Sequence, residues 1–67
     1  MIHVLVNGEI REFPPGQSIA HLLHSLQIPS DRVAIELNKT IVRKRDWDRT
    51  TVGPDSQIEI VEFVGGG

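Results

Sequence analysis

The residues best placed to do chemistry close the chain, where Gly65, Gly66 and Gly67 follow the apolar run IEIVEFV. Three successive glycines have no side chains to pack and the most backbone entropy to lose on ordering, which predicts an exposed, mobile tail. Without Cβ atoms the tail can thread a narrow tunnel, and three extended residues carry its carboxylate about 10 Å beyond a folded body. A carboxylate is a poor electrophile. Before any nucleophile can attack the Gly67 carbonyl, another protein must convert it with ATP to an acyl-adenylate, and attack by a sulfur donor then leaves a C-terminal thiocarboxylate.

Other groups offer less. His3, His21 and His24 suggest a metal, but His21 and His24 fall on the predicted solvent side of a helix. No carboxylate or cysteine completes a familiar ligand spacing, so no metal site is expected. The chain has no cysteine, which excludes disulfides, thiolate sites and thiol nucleophiles. Neither a Ser/His/Asp order, a phosphate loop nor a paired-carboxylate motif is present. The expectation is a protein acted on by partner enzymes, with no catalytic residues and no bound cofactor of its own; Mg-ATP belongs to the activating partner.

A body must hold that tail out. With 67 residues, 39% of them hydrophobic, the chain has room for one domain with one small core. Residues 1–64 are expected to form it, leaving 65–67 as the tail. Seven Lys and Arg against nine Asp and Glu give a formal charge of −2, which draws in neither nucleic acid nor an anionic membrane. The opening MIHVLVNGEI lacks a basic n-region and a long apolar h-region, and no run approaches the roughly 18 residues that cross a bilayer. A cytoplasmic monomer is expected.

Period-2 alternation over Ile2, Val4 and Val6 reads as a strand running into Asn7-Gly8, a type I′ turn dipeptide, and Glu9 to Phe13 returns. Pro14-Pro15-Gly16 stops that hairpin. Ser18 is placed to cap a helix over 18–27, with Ile19, Leu22, Leu23 and Leu26 on its apolar stripe and Pro29 closing it. Val33, Ile35 and Leu37 alternate in a third strand, Asn38-Lys39 turns the chain, and Ile41-Val42-Arg43 pairs back. The polar stretch 44–49 is a connection with a helical turn anchored by Trp47, and Gly53-Pro54-Asp55 is a further turn. Gln57 to Val64 is the last strand.

This order of strands and helix is too short for a doubly wound sheet. It fits an α+β, ubiquitin-like β-grasp, in which one helix covers one face of a small mixed sheet. Leu5, Ala34, Val61 and Phe63 then fall on the opposite face, where no second helix exists to cover them. They form the expected partner-binding surface.

The segments VNGEIREFPPGQSIAHLLHSLQI, VAIELNKTIVRKRDW and IEIVEFVGGG resemble the ThiS family, sulfur carriers of thiamine-thiazole biosynthesis, over nearly the whole chain. The most specific matches are Asn7-Gly8-Glu9, Ser18 before Leu22-Leu23, Ala34-Ile35-Glu36-Leu37-Asn38, Ile41-Val42 with Arg43 or Arg45 before Trp47, and the terminal glycines. The resemblance implies that Gly67 is adenylated by an E1-like, ThiF-type enzyme, becomes a thiocarboxylate, and delivers sulfur to a thiazole synthase of the ThiG type. Gly66 is then the second family glycine, and Gly65 extends the arm. Gly53-Pro54-Asp55-Ser56 departs from the family's usual Gly-Asp before the last strand, and His21 stands where a capping box has Glu. The alternatives are a MoaD-like small subunit of molybdopterin synthase, with the same fold and thiocarboxylate chemistry, and a ubiquitin-like protein modifier joined through Gly67 to lysines.

Overall fold

The computed structural model describes residues 1–63. Strand β1 (Ile2–Val6) and strand β2 (Glu9–Phe13) form an antiparallel hairpin in which Val6 faces Glu9 and Ile2 faces Phe13. Between them Asn7 (φ 50°) and Gly8 (φ 82°) both take the left-handed conformation that a type I′ turn demands.

Helix α1 (Ile19–Ser25) is shorter than the 18–27 that the apolar stripe suggests. Ser18 caps it as expected, its Oγ accepting the His21 N–H at 3.1 Å. The Ile19 and Ala20 amides donate to the carbonyls of Thr50 (3.0 Å) and Trp47 (3.1 Å), and Leu22 donates to Ser18 (3.0 Å). The three orphan donors of the first turn, Ile19, Ala20 and His21, are thereby satisfied, and Leu22 makes the first regular helical bond. At the other end the chain leaves the helix before Pro29. Gln27 turns left-handed (φ 59°), its N–H bonding to the His24 carbonyl while Ile28 N–H reaches Leu23, both at 3.0 Å. This paired closure is a Schellman motif, here with glutamine in the position glycine usually takes.

A 3₁₀ turn at Ser30–Arg32 leads to strand β3 (Val33–Leu37), which pairs antiparallel with strand β4 (Thr40–Val42), one residue earlier at each end than expected. The connection carries its helical turn at Lys44–Asp46, and Trp47 is its anchor, 4% exposed with its indole N–H donating to the Val42 carbonyl at 2.9 Å. Strand β5 (Gln57–Glu62) ends two residues before the expected boundary; Phe63 N–H instead bonds the Arg32 carbonyl at 2.8 Å, and Val64 lies outside the described residues.

The sheet order is β2-β1-β5-β3-β4, with β1 and β5 parallel and the other pairs antiparallel. The parallel ladder is short, joining Leu5 to Gln57 and Val6 to Ile58. Beyond it the Asn7 side chain substitutes for a strand: its Oδ1 accepts the Ile60 N–H at 2.7 Å and its Nδ2 donates to the Ile60 carbonyl at 3.2 Å. Asn38 does likewise on the other side, its Oδ1 accepting from Gln57 N–H at 2.9 Å.

The helix covers one face. Ile19, Leu22 and Leu23 pack with Val4, Val6, Phe13, Val33, Ile35 and Ile58 of the strands, and Trp47 and Val52 close the side. Ser56, the buried polar residue, donates from Oγ to the Gly53 carbonyl at 2.7 Å. The architecture is the α+β, ubiquitin-like β-grasp, one helix on a five-stranded mixed sheet. Among the described residues no helix is long and apolar enough to cross a membrane.

Candidate functional site

Side chains alternate along each strand, so the register assigns the face that the helix leaves open. Val4, Val6, Ile35 and Ile58 point into the core. Their neighbours Leu5, Ala34, Glu36, Gln57, Glu59 and Val61 therefore point the other way. Cross-strand pairing groups them: Ile10 lies opposite Leu5, Leu5 beside Gln57, Ile41 opposite Glu36, Glu36 opposite Glu59, and Ala34 opposite Val61.

Two apolar patches result. One is formed by Leu5 and Ile10, which with His3, Val4 and Asp55 line a groove of about 440 Å³. The other is formed by Ala34, Val61 and Phe63 where β5 leads toward the end of the chain. Val61 and Phe63 are 56% and 59% exposed, whereas Leu5 and Ala34 are half-buried among their strand neighbours. The four residues expected on this face are thus there, the last two far more accessible than the first two.

Ile10 and Ile41 were not among the expected residues, yet they are 73% and 70% exposed and widen the apolar surface. Their signal was available in part: Ile10 is flanked by Glu9 and Arg11, and Ile41 lies opposite Glu36 once Asn38-Lys39 is read as the turn. Large hydrophobics exposed on one sheet face are candidates for a contact surface where they form a contiguous patch.

The expected chemical terminus, Gly65, Gly66 and Gly67, lies outside the described residues. Phe63, the last described residue, directly follows β5 and is exposed, so the apolar surface at Val61 and the tail are contiguous in the chain.

The three histidines are dispersed. His3 Nε2 is 3.8 Å from Glu12 Oε2 across the β1–β2 hairpin, the His21 ring lies 5.7 Å from the Phe13 ring, and His24 edges a second hollow of about 470 Å³ between α1 and the 44–48 connection. Among the described residues no group of three or more His, Asp or Glu comes together.

Comparison with known proteins agrees with this geometry. The crystal structure of a thiamine biosynthesis protein (ThiS) from Geobacter metallireducens superposes with a TM-score of 0.82 at 28% identity, covering 98% of this chain and 100% of that one. A thiazole synthase of Paramagnetospirillum magneticum is 38% identical over 64 residues, 96% of this chain but 20% of that protein. The chain therefore spans about one fifth of the length of the thiazole synthases it matches. An uncharacterized protein, ycf40, of Porphyra purpurea is 35% identical over 98% of this chain and 93% of its own length. The model of the ThiS family matches residues 4–67, which takes in the helix, all of the sheet except the first two residues of β1, and all three terminal glycines, and this chain belongs to the ThiS family.

Proposed function

We propose that this protein is a sulfur carrier for thiamine thiazole synthesis, a co-substrate and not an enzyme, with the Gly67 carboxylate as its reacting group. In the first step that carboxylate attacks the α-phosphate of Mg-ATP in an E1-like, ThiF-type partner, forming the acyl-adenylate and releasing pyrophosphate. A sulfur donor then displaces AMP and leaves the thiocarboxylate. When that sulfur is transferred in a ThiG-type thiazole synthase, the acyl C–S bond breaks. An oxygen from water or from the acceptor substrate takes the place of sulfur on the Gly67 carbon, which returns the carboxylate and regenerates the carrier.

The observation that carries this reading is the family match running through residue 67, on a fold whose exposed apolar face leads along β5 into the glycines. Leu5, Ala34, Val61 and Phe63 form the docking surface in this reading, joined by Ile10 and Ile41. Gly67 is the fourth residue after Phe63, and four extended residues span at most about 14 Å. A partner seated on the open face can therefore hold an active site within reach of the terminus. The chain's likeness to a segment of thiazole synthases supports a thiazole synthase as the acceptor.

Deleting Gly66 and Gly67 tests the reading. Pyrophosphate exchange catalysed by the adenylating enzyme is expected to vanish while the melting temperature stays unchanged, because glycine has no side chain to contribute to a core. Exchange retained by the truncated protein would refute the assignment of Gly67. The intact mass of protein isolated from cells should in turn show a fraction with one oxygen replaced by sulfur, whereas discrete lysine conjugates would point to a modifier.

A further inference from the structure

The open face carries a charge arrangement that the apolar patches do not explain. Glu36 of β3 and Glu59 of β5 are direct partners in the antiparallel ladder, both exposed, with Ile41 opposite Glu36 on the other side. Like charges set directly opposite one another on a sheet are unfavourable. Among the described residues the ion pairs are Arg11–Glu9 and Arg49–Asp46, with His3 near Glu12, and none of these contacts involves Glu36 or Glu59.

The position of this pair is as informative as its charge. Open-face positions along β5 succeed one another every two residues, about 6.6 Å, so Glu59 lies one step from Gln57 beside Leu5 and one step from Val61 beside Ala34. Any protein that covers both apolar patches must also cover the two carboxylates between them. Taking two unpaired carboxylates out of water is strongly unfavourable unless the covering surface brings opposite charge. Arginine suits the task better than lysine: its planar guanidinium presents donors on two edges, can bridge two carboxylates, and is weakly hydrated enough to lie among apolar side chains.

Resting on the reading that this face docks the activating enzyme, we propose that Glu36 and Glu59 form an acidic clasp that selects a partner whose contact surface sets an arginine between apolar side chains. The clasp is a specificity device. It costs the free protein a little stability and disfavours apolar surfaces that lack the matching cation.

The test uses the full chain with the adenylating enzyme, measuring pyrophosphate release against carrier concentration. For the double variant Glu36→Gln, Glu59→Gln the KM for the carrier should rise roughly tenfold or more, the size expected for losing a charge-assisted contact. At saturation kcat should be unchanged, and the dependence of KM on salt should weaken. The melting temperature should stay level or rise, which a merely structural pair of residues would not allow. Glu36→Lys places opposite charges across the ladder, so it should raise the melting temperature while raising KM further. A wild-type KM in both variants, with the wild-type carrier turned over normally, overturns the clasp and leaves the carrier function standing. Loss of thermal stability alongside a raised KM also overturns it. If the wild-type chain itself is not adenylated, the carrier reading fails and the clasp with it.

Discussion

The two faces of the sheet are made by the same five strands, alternating residue by residue, and they differ in what closes them. On one side Leu22, Leu23 and Ile19 of the helix descend onto Val4, Val6, Ile35 and Ile58 until almost nothing remains exposed. On the other, Ile10, Ile41, Val61 and Phe63 remain exposed around two opposed carboxylates. Apolar content alone does not separate the faces. The separation should lie in consequence: a change on the closed face is expected to be felt as lost stability, and a change on the open face, under the proposed docking role, as lost association.

That comparison is easiest to break on the closed side. Leu23→Ala removes a side chain 2% exposed beneath the helix, and should cost about 3 kcal/mol. In a domain of this size that lowers the melting temperature by roughly 12–24 °C in a thermal scan. An insensitive protein would mean the helix is not the lid of the core. The next largest effect falls on neither face but at the seam. Asn7→Ala forfeits both hydrogen bonds to Ile60 and leaves alanine at φ 50°, for about 2 kcal/mol by chemical denaturation. Asn7→Gly relieves the backbone term and should recover part of the loss. Smallest in stability, and sharpest as a contrast, is Phe63→Asp: the free energy of unfolding should move by no more than about 0.5 kcal/mol. The same change should weaken binding to the adenylating enzyme, read by calorimetry. A large drop in melting temperature would show that the ring is packed after all.

Much of this was legible because it is local. Ile2, Val4 and Val6 announce their strand by alternation, Asn7-Gly8 its turn, Ser18 its helix start, and Trp47 stands out as the one large apolar residue in a polar connection. The open face followed from counting one helix against a two-sided sheet. What escaped depends on contacts between distant residues. Val52 is fully buried, but it stands alone among Thr50, Thr51 and Gly53, so no periodicity marks it. The helix ends at Ser25 because Gln27 accepts a left-handed backbone, for which glutamine carries no signal. Asn7 reads as a turn residue, and its second role against Ile60, 53 positions away, is set only by the placement of β5. The Glu36–Glu59 opposition likewise appears only once the β3–β5 register is known.

One of those distant contacts bears on how the molecule comes apart. Helix α1 has seven residues, too few to persist in water unaided, and the carbonyls that close its first two amides belong to Trp47 and Thr50, some thirty positions away. Undocking the connection exposes those donors and uncovers Trp47 in the same stroke, so the helix start and its neighbour are expected to open together. The element that looks most autonomous along the chain is therefore held in place by residues far from it in sequence, and its stability belongs to the fold and not to the helix alone.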